Sequence, residues 1–558
     1  MQKKSVFKLI LVAMFIAFIS LAGCFFVDKV LQEQRNKVSQ SAVAENSVVE
    51  VNTFADLKTK AEQGVNKIKL TSNIDFNDTV YITKDVTIFA DESFTLTRNQ
   101  NFLGDMFIVG KDKNGNNPVL ETGKVGKLTM SANNGATLTV DGNKGGVTDE
   151  VCGTVVMTVN TAEFNMNDGV IIQNNKKLGN VETLKHRGSY PEEIGGGAVI
   201  VVSGSFNMYG GKILNCQVRE DESATKISTK GGAVYSFGQF NMYGGKIEGC
   251  RAARGGAIFS YKIAKIFKGE ILNNFASVYG GGIYKPNSQY TNLTIGDYSN
   301  ETRVVFKGNT TEGSGGAIFA SLATSLFIPG ATEFIGNSAD SNGGAINSPG
   351  ANVIKNTLFK GNTAGSKGGA IYVYHNKATS TVRHTVLNGV NFVENVSSSG
   401  GGALGTGSST SEYEYNGSTV YATNCNFSKN ESKQGGAVYI IRQCYVELDS
   451  CNISENEATQ YGGGIYITGK STLIIKNIKA NENNATSSGG FLYLTTGGTI
   501  VKILSGEAND NTTASSKGST IWTNATAVVL QIKGTTSKEY FTYNGEILGK
   551  GTVVEYEA

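Results

Sequence analysis

Histidine and tryptophan are nearly absent from this chain, with three and one in 558 residues. That removes most of the imidazole on which acid–base and metal chemistry commonly rest. Proline is scarce at 5 while glycine reaches 70. The balance excludes a disordered Pro/Gly chain and suits many tight turns joining hydrogen-bonded strands. Basic runs are missing, so the sequence carries no electrostatic footprint for nucleic acid. The seven cysteines fit neither a CxxC metal pattern nor a compact disulfide framework.

What is present begins with a leader. Lys3, Lys4 and Lys8 precede an apolar run over Leu9–Ser20, and Leu21-Ala22-Gly23-Cys24 closes it with small residues. These are the regions of an export signal, and the last four residues resemble the bacterial lipobox. The resemblance makes Cys24 the lipid attachment site and residues 1–23 a removed signal peptide. An uncleaved membrane anchor is the alternative, because the apolar stretch continues through Phe25-Phe26-Val27. Either way the chain is expected outside the cytoplasm, membrane-anchored, at the outer membrane or cell surface. Loss of the leader's three lysines leaves equal numbers of basic and acidic residues. Residues 24–50 read as the lipidated cysteine and a polar tether.

Beyond the tether a motif recurs. Gly-Gly boxes begin at Gly196, Gly231, Gly255, Gly280, Gly315, Gly343, Gly368, Gly401, Gly435, Gly462 and Gly489, at intervals of 24 to 35 residues. An apolar residue and an asparagine precede the box: Phe306/Asn309, Phe334/Asn337, Phe359/Asn362, Phe392/Asn395 and Ile453/Asn456. In these five copies the asparagine stands six residues before the first glycine. A variable period around a fixed offset means one structural coil per repeat, with insertions confined to loops. Short alternating strands such as "AIYVY" and intervals too short for a propeller blade predict an all-β, right-handed parallel β-helix.

The motif then has physical roles. Phe359 and Ile371 point into a continuous core. The asparagines, expected to tolerate left-handed torsions at a turn, form a structural ladder: Asn274, Asn309, Asn337, Asn362, Asn395, Asn430, Asn456 and Asn483. The glycines serve a corner where a Cβ would force a positive φ or block close approach. Cys216 and Cys250 fall at the asparagine position of adjacent coils, and Cys425 and Cys451 two residues before neighbouring core residues. Such stacked cysteines either fill the core or bridge. Thr53 and Asp56 at capping spacing, an apolar face at Phe54, Leu57 and Ala61, and Gly64 as a stop predict a short capping helix. Residues 51–195 form the cap and irregular coils, and 196–558 the repeats and end coils. Some sixteen coils at about 4.8 Å each make a rod roughly 75 Å long.

The apolar-x-x-Asn plus Gly-Gly-Ala-Ile alternation resembles the repeat of the chlamydial polymorphic outer membrane proteins, over about Phe164–Ile521. The resemblance implies a cell-surface β-helix and, in the best-known members, adhesion to host cells. Those proteins end in a membrane β-barrel; the tail "YNGEILGKGTVVEYEA" leaves no room for one, so the lipid is the expected anchor.

The rival is a carbohydrate-active β-helix enzyme, a polysaccharide lyase or glycoside hydrolase. That chemistry needs clustered carboxylates. Asp168, Asp221, Asp297, Asp340, Asp449 and Asp510 occur singly at different offsets, Glu192-Glu193 and Glu220-Asp221-Glu222 lie in longer insertions, and Arg383-His384 sits on a strand. We therefore expect no catalytic residues, no metal and no cofactor. A binding stripe is the remaining candidate: Tyr235, Phe259, Tyr284, Phe319, Tyr372, Tyr439, Tyr466 and Tyr493 follow the box. Strand alternation would turn these rings outward to meet a host surface protein or glycan, or they stack only on one another.

Overall fold

The computed structural model describes residues 48–116, 126–146, 153–179, 195–220, 229–286, 292–298, 302–321, 324–349, 351–375, 384–408, 417–515, 517–525, 529–533 and 541–556. The leader, Cys24 and the tether up to residue 47 lie outside them, as does Cys152. One coil shows how the chain winds. Ile346–Ser348 follows a box, and Ala351–Lys355, Thr357–Lys360 and the two-residue strand Thr363–Ala364 lead to the next box and Ile371–His375. Each strand pairs in parallel with its equivalent one coil on, as in Phe334↔Phe359, Ser338↔Thr363 and Ile346↔Ile371. Repetition builds four sheets of 18, 16, 16 and 12 strands, a right-handed parallel β-helix. We call the sheet that follows the Gly-Gly pair the box sheet.

Left-handed residues make the corners. The residue immediately before each ladder position has positive φ: Asn273 (53°), Gly308 (63°), Gly336 (58°), Gly361 (62°), Glu394 (57°), Lys429 (56°), Glu455 (55°) and Glu482 (57°). The ladder asparagines themselves do not. This corrects the expectation that they absorb the left-handed torsion. The corner residue takes it, and the asparagine after it is left to aim inward. At Gly336 and Gly361 a Cβ would meet nothing within 4 Å, so torsion alone favours glycine there.

The two glycines of the box answer different demands. The first is left-handed, as at Gly343 (66°) and Gly368 (67°). The second lies where coils touch: a Cβ on Gly369 would collide with the Gly402 carbonyl, and with the Val396 carbonyl at 2.5 Å.

The buried asparagines link coil to coil. Asn337 Nδ2 donates to Asn362 Oδ1 at 2.9 Å, and Asn362 Nδ2 to Asn395 Oδ1 at 2.9 Å. Each oxygen also accepts the backbone N–H of the previous asparagine, and each Nδ2 donates backwards to a core residue's carbonyl, as Asn362 does to Phe334. The chain of amides runs from Asn274 through Asn309, Asn337, Asn362, Asn395, Asn430, Asn456 and Asn483. It ends on Asn511, to which Asn483 donates at 2.9 Å. Asn511 stands seven residues before Gly518, and Ser519 replaces the second glycine there, so no Gly-Gly pair marks it.

Beside the ladder, Phe306, Phe334, Phe359, Phe392 and Phe427 stack with centroids 4.8 to 5.2 Å apart and nearly parallel planes. The helix Phe54–Gln63 covers the first coils. Thr53 caps it by accepting from the Asp56 N–H, Gly64 (φ 79°) stops it, and Leu57 and Ala61 are buried. Phe54 meets Phe76 edge-on at 4.9 Å.

The ladder sets a first expectation. Asn362→Ala orphans the Asn337 N–H and strips four bonds at one rung, and should cost about 2–3 kcal/mol in a denaturant titration. Gly361→Ala next to it should cost only about 1 kcal/mol, the penalty of a left-handed alanine. Equal losses at both positions would contradict the assignment.

Candidate functional site

The outer face of the box sheet carries large aromatics in a row. A three-residue strand such as Ile258–Ser260 sends its first and third side chains inward and its middle one out. In register, the middle positions read Tyr235, Phe259, Tyr284, Phe319, Asn347, Tyr372, Gly405, Tyr439, Tyr466 and Tyr493. Trp522 pairs with Tyr493 and extends the row. Its Gly518-Ser519-Thr520 lacks the glycine pair, so the box pattern does not mark it.

The rings stand outside the central core, and Tyr235, Phe259, Tyr284 and Phe319 join Ile108, Met157, Val159 and Ile200 in a second apolar cluster, but they are not an exposed stripe. Tyr235 and Phe259 are 0% and 1% exposed, and Tyr284, Phe319 and Tyr466 each 9%. Tyr372 and Tyr439 are half-buried. Neighbouring rings cover one another: Tyr284 stacks on Phe319 at 5.4 Å and Tyr466 on Tyr493 at 5.4 Å. Strand-end tyrosines close the sides, Tyr279 against Phe319 at 4.5 Å and Tyr461 against Tyr493 at 4.6 Å. The rings also lie down onto the glycine corner of the preceding coil. A Cβ on Gly195 would come within 2.5 Å of the Tyr235 ring, and one on Gly400 within 2.6 Å of Tyr439. Alternation fixes which way a side chain leaves the sheet, and the bare corner beside it decides whether it then meets water.

Cations sit over one end of the row. Lys230 Nζ lies 5.6, 5.5 and 5.8 Å from the ring centres of Tyr235, Phe259 and Tyr261, and the Arg254 guanidinium 5.8 Å from Tyr284. Further along, burial raises the phenols of Tyr372, Tyr439 and Tyr466 above the usual tyrosine range and that of Tyr493 to about 12. Asn347 and Gly405 interrupt the row. The Tyr372 ring leans into the Gly405 gap, where a Cβ would lie 3.0 Å from it.

The titratable residues are scattered. Asp449 Oδ1 accepts from Asn477 and Ser450, Asp510 from Asn544, and Asp168 from the Gly211 N–H. Among the described residues no three His, Cys, Asp or Glu side chains gather as a metal site. His384 is exposed, its ring 5.8 Å from Tyr421. Glu192, Glu193, Asp221, Glu222 and Arg383 lie outside the described residues.

Three consecutive coils match a family model, the Chlamydia polymorphic membrane protein repeat, over 303–321, 331–349 and 356–374. These coils are similar to the polymorphic membrane protein repeat. No curated protein and no solved structure matches the chain. Each matched stretch holds one core phenylalanine, one left-handed corner glycine before the ladder asparagine, one box opened by a second left-handed glycine, and one outward middle position. The repeat covers three of the four strands of a coil, and it supports a surface-displayed β-helix.

Two outcomes follow for the aromatic row. Tyr466→Ser removes a ring packed between two others and should destabilise the chain by about 3 kcal/mol in a chemical melt, where an exposed binding stripe would tolerate it. The raised phenols give stability that is intact below the unfolded tyrosine value of about 10 and lost as pH climbs through the folded values. Alkaline titration should therefore show unfolding coincident with late phenolate absorbance; early, non-cooperative ionisation of every tyrosine would contradict the burial.

Proposed function

We propose that this chain is a surface-displayed rod, tethered to a membrane by lipid on Cys24, that acts as an adhesin-like or structural display protein and not as an enzyme. The polymorphic membrane protein repeat in three consecutive coils is the observation that carries the reading. The fate of the chemistry-bearing groups supports it. Amides at the ladder and rings on the box sheet are consumed by coil-to-coil contacts, and the described carboxylates are dispersed.

Length variation supports a display role as well. The links between strands vary in length: from the box sheet to the next strand they span 441–444 in one coil, 376–383 in another and 409–418 in a third, and into the box sheet 180–198 or 221–233 in early coils against 255–257 later. Insertions at these corners leave the pairing of successive coils intact, the usual arrangement for recognition loops on a rigid scaffold. The partner class is a host surface protein or glycan.

Cys24→Ser should release the protein from the membrane fraction and abolish incorporation of a labelled fatty acid. Purified rod passed over immobilised host matrix proteins and a polysaccharide panel should be retained by one of them without generating new reducing or unsaturated ends. Polysaccharide cleavage would replace this reading with the enzymatic one.

A further inference from the structure

We propose that two stacked thiol pairs, Cys216 with Cys250 and Cys425 with Cys451, are inter-coil disulfide sites, each joining one coil covalently to the next. The corners that hold them are built alike. Each cysteine follows a left-handed residue: Asn215 (53°) and Gly249 (68°) in the first pair, Asn424 (52°) and Ser450 (53°) in the second. The strands that follow are in register, Gln217↔Arg251 and Asn426↔Asn452. Their first backbone bonds run across the pair, from Arg251 N to the Cys216 carbonyl at 3.0 Å and from Asn452 N to the Cys425 carbonyl at 2.9 Å. In-register neighbours in a parallel sheet lie about 4.8 Å apart, inside the roughly 4.4–6.8 Å between Cα atoms that a disulfide spans. All four side chains are buried, and each thiol donates to the carbonyl two residues before it, those of Leu214, Glu248, Thr423 and Asp449.

The first pair also interrupts the amide ladder. Asn274 Oδ1 accepts from Cys250 N at 2.9 Å, and the next rung, Cys250 to Cys216, has no amide to carry it. A disulfide would be a covalent rung in the same place. Cys444 is the internal comparison. It too is buried, but its backbone N–H meets Ser471 and no cysteine stands above or below it.

In the second pair, with glutathione disulfide as oxidant, the Cys425 thiolate attacks one glutathione sulfur and expels the other as thiolate. Cys451 then loses its proton and attacks the mixed disulfide at Cys425, releasing the second glutathione. Two protein thiols are oxidised and one glutathione disulfide is reduced to two thiols. Because the sulfurs are buried once the coils close, the exchange belongs to coil formation, and the finished bond is shielded from reductant.

The test refolds the full chain from denaturant in a mixture of reduced and oxidised glutathione, then alkylates and maps peptides. Linked peptides 216–250 and 425–451 are expected, with Cys152 and Cys444 alkylated. Each bond should resist dithiothreitol until denaturant is added. The same map made on chain isolated folded without reductant guards against poor refolding. In C250S, Cys216 should be alkylated and 425–451 still form. Alkylation of all four cysteines in folded protein, or links between the pairs, would overturn the proposal.

Discussion

Every coil of this protein must lie on the one below it in register, and the left-handed corner residue enforces that. A single residue with φ near 55–65° recurs before each ladder position. Since an L-residue other than glycine or asparagine adopts that torsion at a cost, the corner is where the sequence is least free. Its consequence is directional: the side chain after the corner always enters the interior at the same height. An asparagine there finds another asparagine one coil away, and the phenylalanine three residues earlier finds another phenylalanine. The amide contacts and the aromatic stack are two readouts of one backbone repeat.

Glutamate and lysine at four of these corners sharpen the point. Glu394, Lys429, Glu455 and Glu482 accept the left-handed torsion with a Cβ in place, where Gly336 and Gly361 are open to the same substitution. The second box glycine has no such latitude, because the next coil's carbonyls occupy the space. Torsion is a graded cost that stacking offsets, whereas a backbone collision is not. This is why the box persists through coils in which the earlier corner has drifted.

The architecture was legible because its signals are one-dimensional. The offset from Phe359 through Asn362 to Gly368 reports one coil, and its recurrence reports the stack. The capping stretch Thr53–Gly64 was equally plain, since capping chemistry is local. What escaped depended on neighbours in space. The torsion at Gly361 was credited to Asn362, because both residues occupy the same turn and only coordinates separate them. Alternation correctly turned Tyr466 and Tyr493 away from the core, yet their cover comes from Tyr461 and from neighbouring rings, which no single strand shows. Asn511 and Trp522 were hidden by an incomplete box. Function was least legible of all, because a motif whose residues are spent on stacking says little about what the outside of the stack meets.

Amide hydrogen exchange tests the central claim most directly. The backbone N–H groups of Asn337, Asn362 and Asn395 each donate to a side-chain oxygen one coil away, at 3.0 Å, although none lies within a strand. If the corner-to-corner register holds the rod together, these turn amides exchange as slowly as those of the central strands. Exchange at the rate of ordinary surface turns would contradict it.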